Sequence, residues 1–315
     1  MSQALVGRAV LAAVVVALIA LPLLNPNYFI LFVIPEILIM GLFASSFNLL
    51  FGYTGLLSFG HAAYFGTGAY VAGLLMRDLQ LDYVWVLFAA PLAAGLLGLV
   101  IGWFCVRLNE VYFAMLTLAF GMMVFSVYHQ WRSLTGGSDG LSFSLTKLAP
   151  GVDIPLGNPT NFYFLTLVVV GLSLFLLYRV TKSPFGLLLR AMRENVERVS
   201  FTGIPVYRYR LYSFALSAAF AGVAGALFAP FNRIVVPEMV HWTQSAEPVL
   251  MTILGGSQYF FGPIFGSAMF LALRHQITTY TDVWMIYLGI ILALMVMFMP
   301  KGIQGLFERW LGGRT

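Results

Sequence analysis

The sequence predicts an all-α, polytopic integral membrane protein with about eight to ten transmembrane helices, some of them broken or re-entrant at glycine-rich segments. Three observations predict it. Of the 315 residues only 9% are charged and 60% are hydrophobic, whereas an ordinary soluble domain carries about 25% charged residues. Uncharged runs of about 20 residues, enough for a helix to cross the hydrocarbon core, recur along the chain. Two stretches, "GHAAYFGTGA" at residues 60–69 and "GGSQYFFGPIFGSA" at 255–268, interrupt such runs with glycines that weaken an isolated helix by about 1 kcal/mol each relative to alanine. No low-complexity linker divides the runs, so residues 1–315 read as one transmembrane domain.

In order, the expected elements are these. Residues 9–24 form an apolar run that ends at "NPN". A signal peptide would carry a shorter apolar core and a small-residue cleavage site, whereas this run leads straight into the next, so a retained helix is expected. Residues 28–51 follow, interrupted only by Glu36, and then the glycine-rich segment 55–76. Runs at 84–106, 111–131, 162–178 and 211–229 read as ordinary spans, as does the last, at 283–299. Residues 248–273 contain two apolar halves, each too short to span alone, and read as a re-entrant or broken helical hairpin.

Basic residues orient the chain. Arg179, Lys182, Arg190, Arg193, Arg198, Arg208 and Arg210 crowd between two spans, and Lys301, Arg309 and Arg314 follow the last one. Both regions are expected on the cytoplasmic side, which places both termini there as well.

Several chemistries are excluded or disfavoured. The dipeptide Gly-Lys occurs nowhere in the chain, so there is no phosphate loop of the Walker type to bind ATP. His61, His129, His241 and His275 fall on different segments without a second ligand at metal spacing, so no metal site is expected. Ser58, in "GLLSFG", misses the nucleophile-elbow spacing by one residue. Cys105 is alone and cannot form an internal disulfide. With no catalytic constellation, the chain is not read as an enzyme.

The two glycine-rich stretches occupy corresponding places in the two halves. Interrupted helices in matched positions point to a solute path, because unwound backbone survives in a membrane only where it faces protein or water. On this reading Gly60, His61, Gly66 and Gly68 face Gly255 and Gly256 across the path, with His61 at the cytoplasmic-side start of its helix. Close helix packing is the competing account of such glycines, as at Gly98 and Gly102 or Gly262 and Gly266. Glu36 and Glu247 join the candidate path residues because an ionisable group inside a span marks function by default.

The basic segment "KSPFGLLLRAMRENVERVSFTGIPVYRYR", residues 182–210, carries the second signal. Residues 187–199 read as one amphipathic helix with Leu188, Met192, Val196 and Val199 on its apolar face. Gly203 and Pro205 end it. Such a helix can lie on lipid headgroups or dock on a soluble partner, and its glutamates favour the partner.

Four stretches carry a resemblance: "GYTGLLSFGHAAYFGTGAY", "YFAMLTLAFGMMV" with "LTGGSDGL", the run from "SPFGLLLRAMREN" to "AGVAGALFA", and "VLMTILGGSQYFFGPIFGSA" with "PKGIQGLFER". Together they resemble the permease subunits of branched-chain amino acid ABC importers, the LivM type of the LivH/LivM family. The resemblance implies an importer half that works with a second homologous permease, two cytoplasmic ATPase subunits and an extracytoplasmic solute-binding protein, in the inner membrane of a bacterium. It implies that the segment 182–207 is similar to a coupling segment that seats in the ATPase, with Arg190, Arg193, Glu194, Asn195 and Gly203 in contact. It implies that ATP is hydrolysed by the separate subunits, so the chain needs no cofactor. Val199 and Ser200 stand where the family usually carries a small-residue pair. Relatives of this kind carry urea or other small solutes as well as amino acids, and a stand-alone secondary carrier or channel is the alternative of a different class.

Overall fold

The computed structural model describes residues 16–22, 27–145, 147–149, 152–281, 283–298 and 302–305. Residues 16–22 are helical, and the rest of the expected first span lies outside the described residues, as do Lys301, Arg309 and Arg314. The main helices are α1 (Tyr28–Asn48), α2 (His61–Asp78), α3 (Tyr83–Cys105), α4 (Glu110–Gln130), α5 (Pro159–Lys182), α6 (Pro184–Glu194), α7 (Val196–Phe201), α8 (Val206–Asn232), α9 (Trp242–Gly255), α10 (Gly262–Tyr280) and α11 (Trp284–Phe298). Local chemistry sets several of their starts. Asn27, Asn158 and Ser183 each cap the following helix through the side chain, and Pro159 and Pro184 occupy the first helical position, where a missing N–H costs nothing.

Among the described residues, five helical stretches are long and apolar enough to cross a membrane: Phe29–Thr54, Tyr83–Cys105, Val111–Gln130, Pro159–Lys182 and Val206–Asn232. α2 and α8 pack with α3 and α1 into the interior of the bundle. From Ile39 to Leu50 every residue of α1 and its extension is buried. Backbone meets backbone where α2 crosses α8: a Cβ on Gly68 would strike the Gly222 carbonyl, and one on Gly225 would strike the Phe65 carbonyl. Helices approach this closely in lipid because dispersion and small residues replace the hydrophobic drive available in water. Pro35, Pro91, Pro230 and Pro248 sit inside helices, which neighbouring segments make tolerable at membrane depth.

The structure corrects two expectations. The glycine-rich stretch at 60–69 is not broken: α2 is a regular helix, and the irregularity precedes it. α1 runs into a π-helical turn, Leu49–Thr54, which Gly55 stops with a left-handed φ of 78°. Packing against Gly222 and Gly225 outweighs the weak intrinsic propensity that glycine gives the helix. The amphipathic segment is two helices, not one. Asn195 is extended, with φ −160° and ψ 103°, and its side chain accepts from the Arg198 N–H to start α7. The segment after α4 is structured as well. It holds a helical turn, Arg132–Thr135, and β1 (Leu141–Ser142), which pairs antiparallel with β4 (Ile234–Val235) beyond α8. β2 (Lys147–Ala149) pairs with β3 (Val152–Pro155) in a second small hairpin.

Candidate functional site

At the end of the bundle where the Arg-rich segment lies, α6 clamps onto the π-turn, with α7 packed beside it against α6 and α8. Gly186, Leu189, Met192 and Val199 are the buried face of this segment, so Leu189 takes the place expected for Leu188. Arg193 Nη1 donates a hydrogen bond to the Gly52 carbonyl. Gly55 makes room for the same side chain: a Cβ there would lie 3.2 Å from Arg193 Cγ. The Arg190 guanidinium stands 4.7 Å over the Tyr53 ring, a cation–π contact of the kind worth about 0.5–1 kcal/mol at an exposed site. Beside them Arg107 lies 4.7 Å from the Trp103 ring and 5.0 Å from the Tyr207 ring, tying the ends of α3 and α8.

The far surface of this clamp is open. Leu187, Glu194, Asn195, Glu197, Arg198 and Gly203 are exposed, and Phe201 is 89% exposed.

The other side of the π-turn touches the loop between α9 and α10. Asn48 Nδ2 donates to the Tyr259 carbonyl at 3.3 Å, and Gly52 lies against the Ser257 carbonyl. Gly255 is pressed against Gly262, and Gly256, at φ 103°, lies against Gly302. The π-turn therefore lies between α6 and the α9–α10 loop, in contact with both.

Deeper in the bundle two helices begin beside each other. Gly60 abuts the Thr117 carbonyl and Gly121, halfway along α4, so His61 opens α2 inside the bundle and not at its cytoplasmic-side edge. α9 starts after the 3-10 turn Pro237–Val240, whose Val240 fills the space at Gly66. The Ala62 N–H donates to Ser245 Oγ of α9 at 2.9 Å, so one helix caps the other. His61 is fully buried among Phe43, Phe47 and Tyr64. Ser46 Oγ spends its proton on the Phe43 carbonyl at 2.6 Å, so the His61 Nε2–H donates to Ser46 at 3.0 Å.

Toward the end of the bundle opposite the π-turn lies a cluster of charge. Arg274 Nη1 donates to Glu247 Oε1 at 3.2 Å, Gln244 Nε2 donates to Glu247 Oε2 at 2.8 Å, and His275 Nε2 donates to Glu36 Oε2 at 3.1 Å. Glu247 is buried and Glu36 half-buried, with Arg274 and His275 more exposed.

The family profile described as "Branched-chain amino acid transport system / permease component" matches residues 29–299. The chain belongs to this family. The high-affinity branched-chain amino acid transport system permease protein LivM of Escherichia coli K12 is 30% identical over 277 residues, covering 81% of this chain. The chain spans only 65% of that LivM's length. A LivH permease of Salmonella typhimurium is 28% identical over 295 residues, covering 84% of this chain and 90% of the relative. The probable LivM of Methanocaldococcus jannaschii is 25% identical over 312 residues, covering 82% and 88%. No solved structure matches. Relatives of this kind are transport permease components and not enzymes, and this permease is likewise a multi-pass membrane protein.

Within the permease, the residues expected from sequence fall into three places. Arg190 and Arg193 grip the π-turn, while Glu194, Asn195 and Gly203 lie on the open surface beside them. Gly60, Gly66 and Gly68 do not face Gly255 and Gly256. Each is filled by a neighbouring helix or turn, and the segment 255–268 closes on Met251, Gly302 and α1 instead. The true counterpart of the α2 entry is the entry to α9. Glu36 and Glu247 are each paired from adjacent residues of α10, His275 with Glu36 and Arg274 with Glu247, residues that were not among the expected path residues because they stand just past the apolar run ending at Leu273. Two charged residues at the end of such a run were the available signal.

Proposed function

We propose that the chain is the permease subunit of an ATP-driven importer that moves branched-chain or related amino acids across a bacterial inner membrane. It works as a single transmembrane domain, with a second homologous permease, two ATPase subunits and an extracytoplasmic solute-binding protein. The Arg-rich segment and both termini face the cytoplasm, in keeping with the positive-inside rule. ATP is bound and hydrolysed by the partner ATPases, and the chain carries no cofactor.

The observation that carries this reading is the clamp of α6 on the π-turn. One surface of the segment is fixed to the translocating bundle by Arg193 and Arg190, and the other presents Leu187, Glu194 and Phe201 to the outside. An element fixed to the bundle on one side and open on the other is suited to pass the motion of a soluble ATPase to the backbone of α1 and the α9–α10 loop. That placement supports a coupling role for Arg190, Arg193, Glu194, Asn195 and Gly203. Cysteine at Glu194 or Phe201 is expected to crosslink to the ATPase subunit in native membranes. Labelling by lipid-phase reagents alone, with no ATPase adduct at either position, would make the segment a membrane anchor and defeat the coupling assignment.

A further inference from the structure

We propose that Glu36, Gln244, Glu247, Arg274 and His275 form a subsite that binds the charged backbone of a zwitterionic amino acid on its way through the permease, with the carboxylates taking the ammonium and Arg274 the carboxylate. This rests on the reading of the chain as an amino acid permease.

Glu36 lies within Phe29–Thr54, one of the helical stretches long and apolar enough to cross a membrane. Glu36 lies about 12 Å along α1 from Tyr28, and Arg274 about 18 Å along α10 from Gly262, at about 1.5 Å per residue. Ionisable groups at such positions avoid lipid and face protein or a water-filled cavity. Three helices deliver them: α1 gives Glu36, and the consecutive α9 and α10 give Gln244 and Glu247, and Arg274 and His275. The carboxylates are recessed and the cations stand nearer the surface. Side-chain exposure is 11% for Glu247 and 20% for Glu36, against 36% for Arg274 and 47% for His275.

The chemistry of the pairs selects the ligand class. Removing one partner from a recessed ion pair leaves an uncompensated charge, which is strongly unfavourable. A monovalent ion that displaced one member would do that. A solute bearing one ammonium and one carboxylate on the same carbon exchanges into both sides of a pair at once, so neither Glu247 nor Arg274 is left unmatched. Its carboxylate suits the planar guanidinium fork of Arg274, and its ammonium, a compact donor of three hydrogens, suits the recessed carboxylate of Glu247, with that of Glu36 on the facing helix. An uncharged solute gains nothing from this arrangement.

The test uses the solubilised transporter, assembled with its partner permease and ATPases and without the binding protein, and reads L-leucine binding by saturation-transfer NMR. Leucinamide, which lacks the carboxylate, and 4-methyl-2-oxopentanoate, which lacks the ammonium, are expected to bind about ten-fold or more weakly than leucine, the size of a lost charge-assisted hydrogen bond. The double variant Glu247→Gln/Arg274→Gln is expected to lose leucine affinity by a similar factor, while Arg274→Lys retains part of it. Equal binding of leucine and leucinamide by the wild-type complex, or wild-type leucine affinity in an assembled double variant, would overturn the subsite. The analogue comparison needs no variant, so misassembly of the double variant leaves the test decisive. If the complete wild-type transporter, with binding protein and ATP, takes up leucine but shows neither discrimination, the subsite alone fails. If it takes up no amino acid, the permease reading fails and the subsite with it.

Discussion

Arg193 of α6 donates a hydrogen bond to the carbonyl of Gly52, in the π-turn that ends α1. Gly52 is buried, so Arg193→Ala strands an acceptor away from water. The expected cost is about 1–3 kcal/mol, read as a lower unfolding temperature of the permease in detergent. Arg193→Lys is expected to recover part of it, since a lysine reaches the same carbonyl. No change in unfolding temperature for either variant would mean that the clamp contributes nothing to holding the π-turn.

Where α2 crosses α8, Gly68 and Gly222 touch through their backbones. Gly68→Ala is therefore expected to destabilise by about 1–3 kcal/mol, through overpacking. Gly171 provides the contrast: it sits in α5, exposed, with nothing within 4 Å of a Cβ. Gly171→Ala is expected to be neutral or to stabilise by up to about 1 kcal/mol, the helix-propensity difference. Thermal unfolding of the two variants side by side checks this, and an equal loss in both would remove the packing account of Gly68.

The extended Asn195 separates α6 from α7 and caps the second of them. Asn195→Ala is expected to cost α7 about 0.5–2 kcal/mol. Because α7 is short and mostly exposed, the loss is local: hydrogen exchange is expected to quicken at residues 196–201 and to stay unchanged in α8. Unchanged exchange in α7 would show that the cap is dispensable.

Much of this architecture was legible because lipid imposes a simple demand. A span must be apolar and must satisfy its own backbone, so the uncharged runs marked α1, α3, α4, α5 and α8. The Arg-rich segment was legible because its apolar positions repeat at helical spacing. The π-turn was not, since "LLFGYT" is as apolar as the helix it extends and a change from i−4 to i−5 bonding has no compositional mark. α2 was misread for a related reason. Its glycines report a local propensity, whereas their purpose lies in Gly222, Val240 and Thr117, each remote in sequence. The charged cluster was half legible: Glu36 and Glu247 stood out as acids within spans, but their partners could be found only once α1, α9 and α10 were placed together.

Glu247 gives a stability prediction of its own. Arg274→Ala alone removes the cation paired with the recessed carboxylate and leaves it, among the described residues, the hydrogen bond from Gln244. It is expected to destabilise by about 2 kcal/mol, less than a fully buried pair would lose because Arg274 is partly exposed, and the double variant Glu247→Gln/Arg274→Ala is expected to recover most of it. Additive losses in thermal unfolding would show that the two side chains are not coupled.

The most direct measurement is uptake of radiolabelled L-leucine into proteoliposomes containing the chain alone, and into proteoliposomes containing it with its partner permease, the two ATPases and the loaded binding protein. The account predicts uptake only in the complete system and only with ATP. Leucine flux through the lone chain, or flux in the complete system that is indifferent to ATP, would contradict it and make the protein a secondary carrier or a channel.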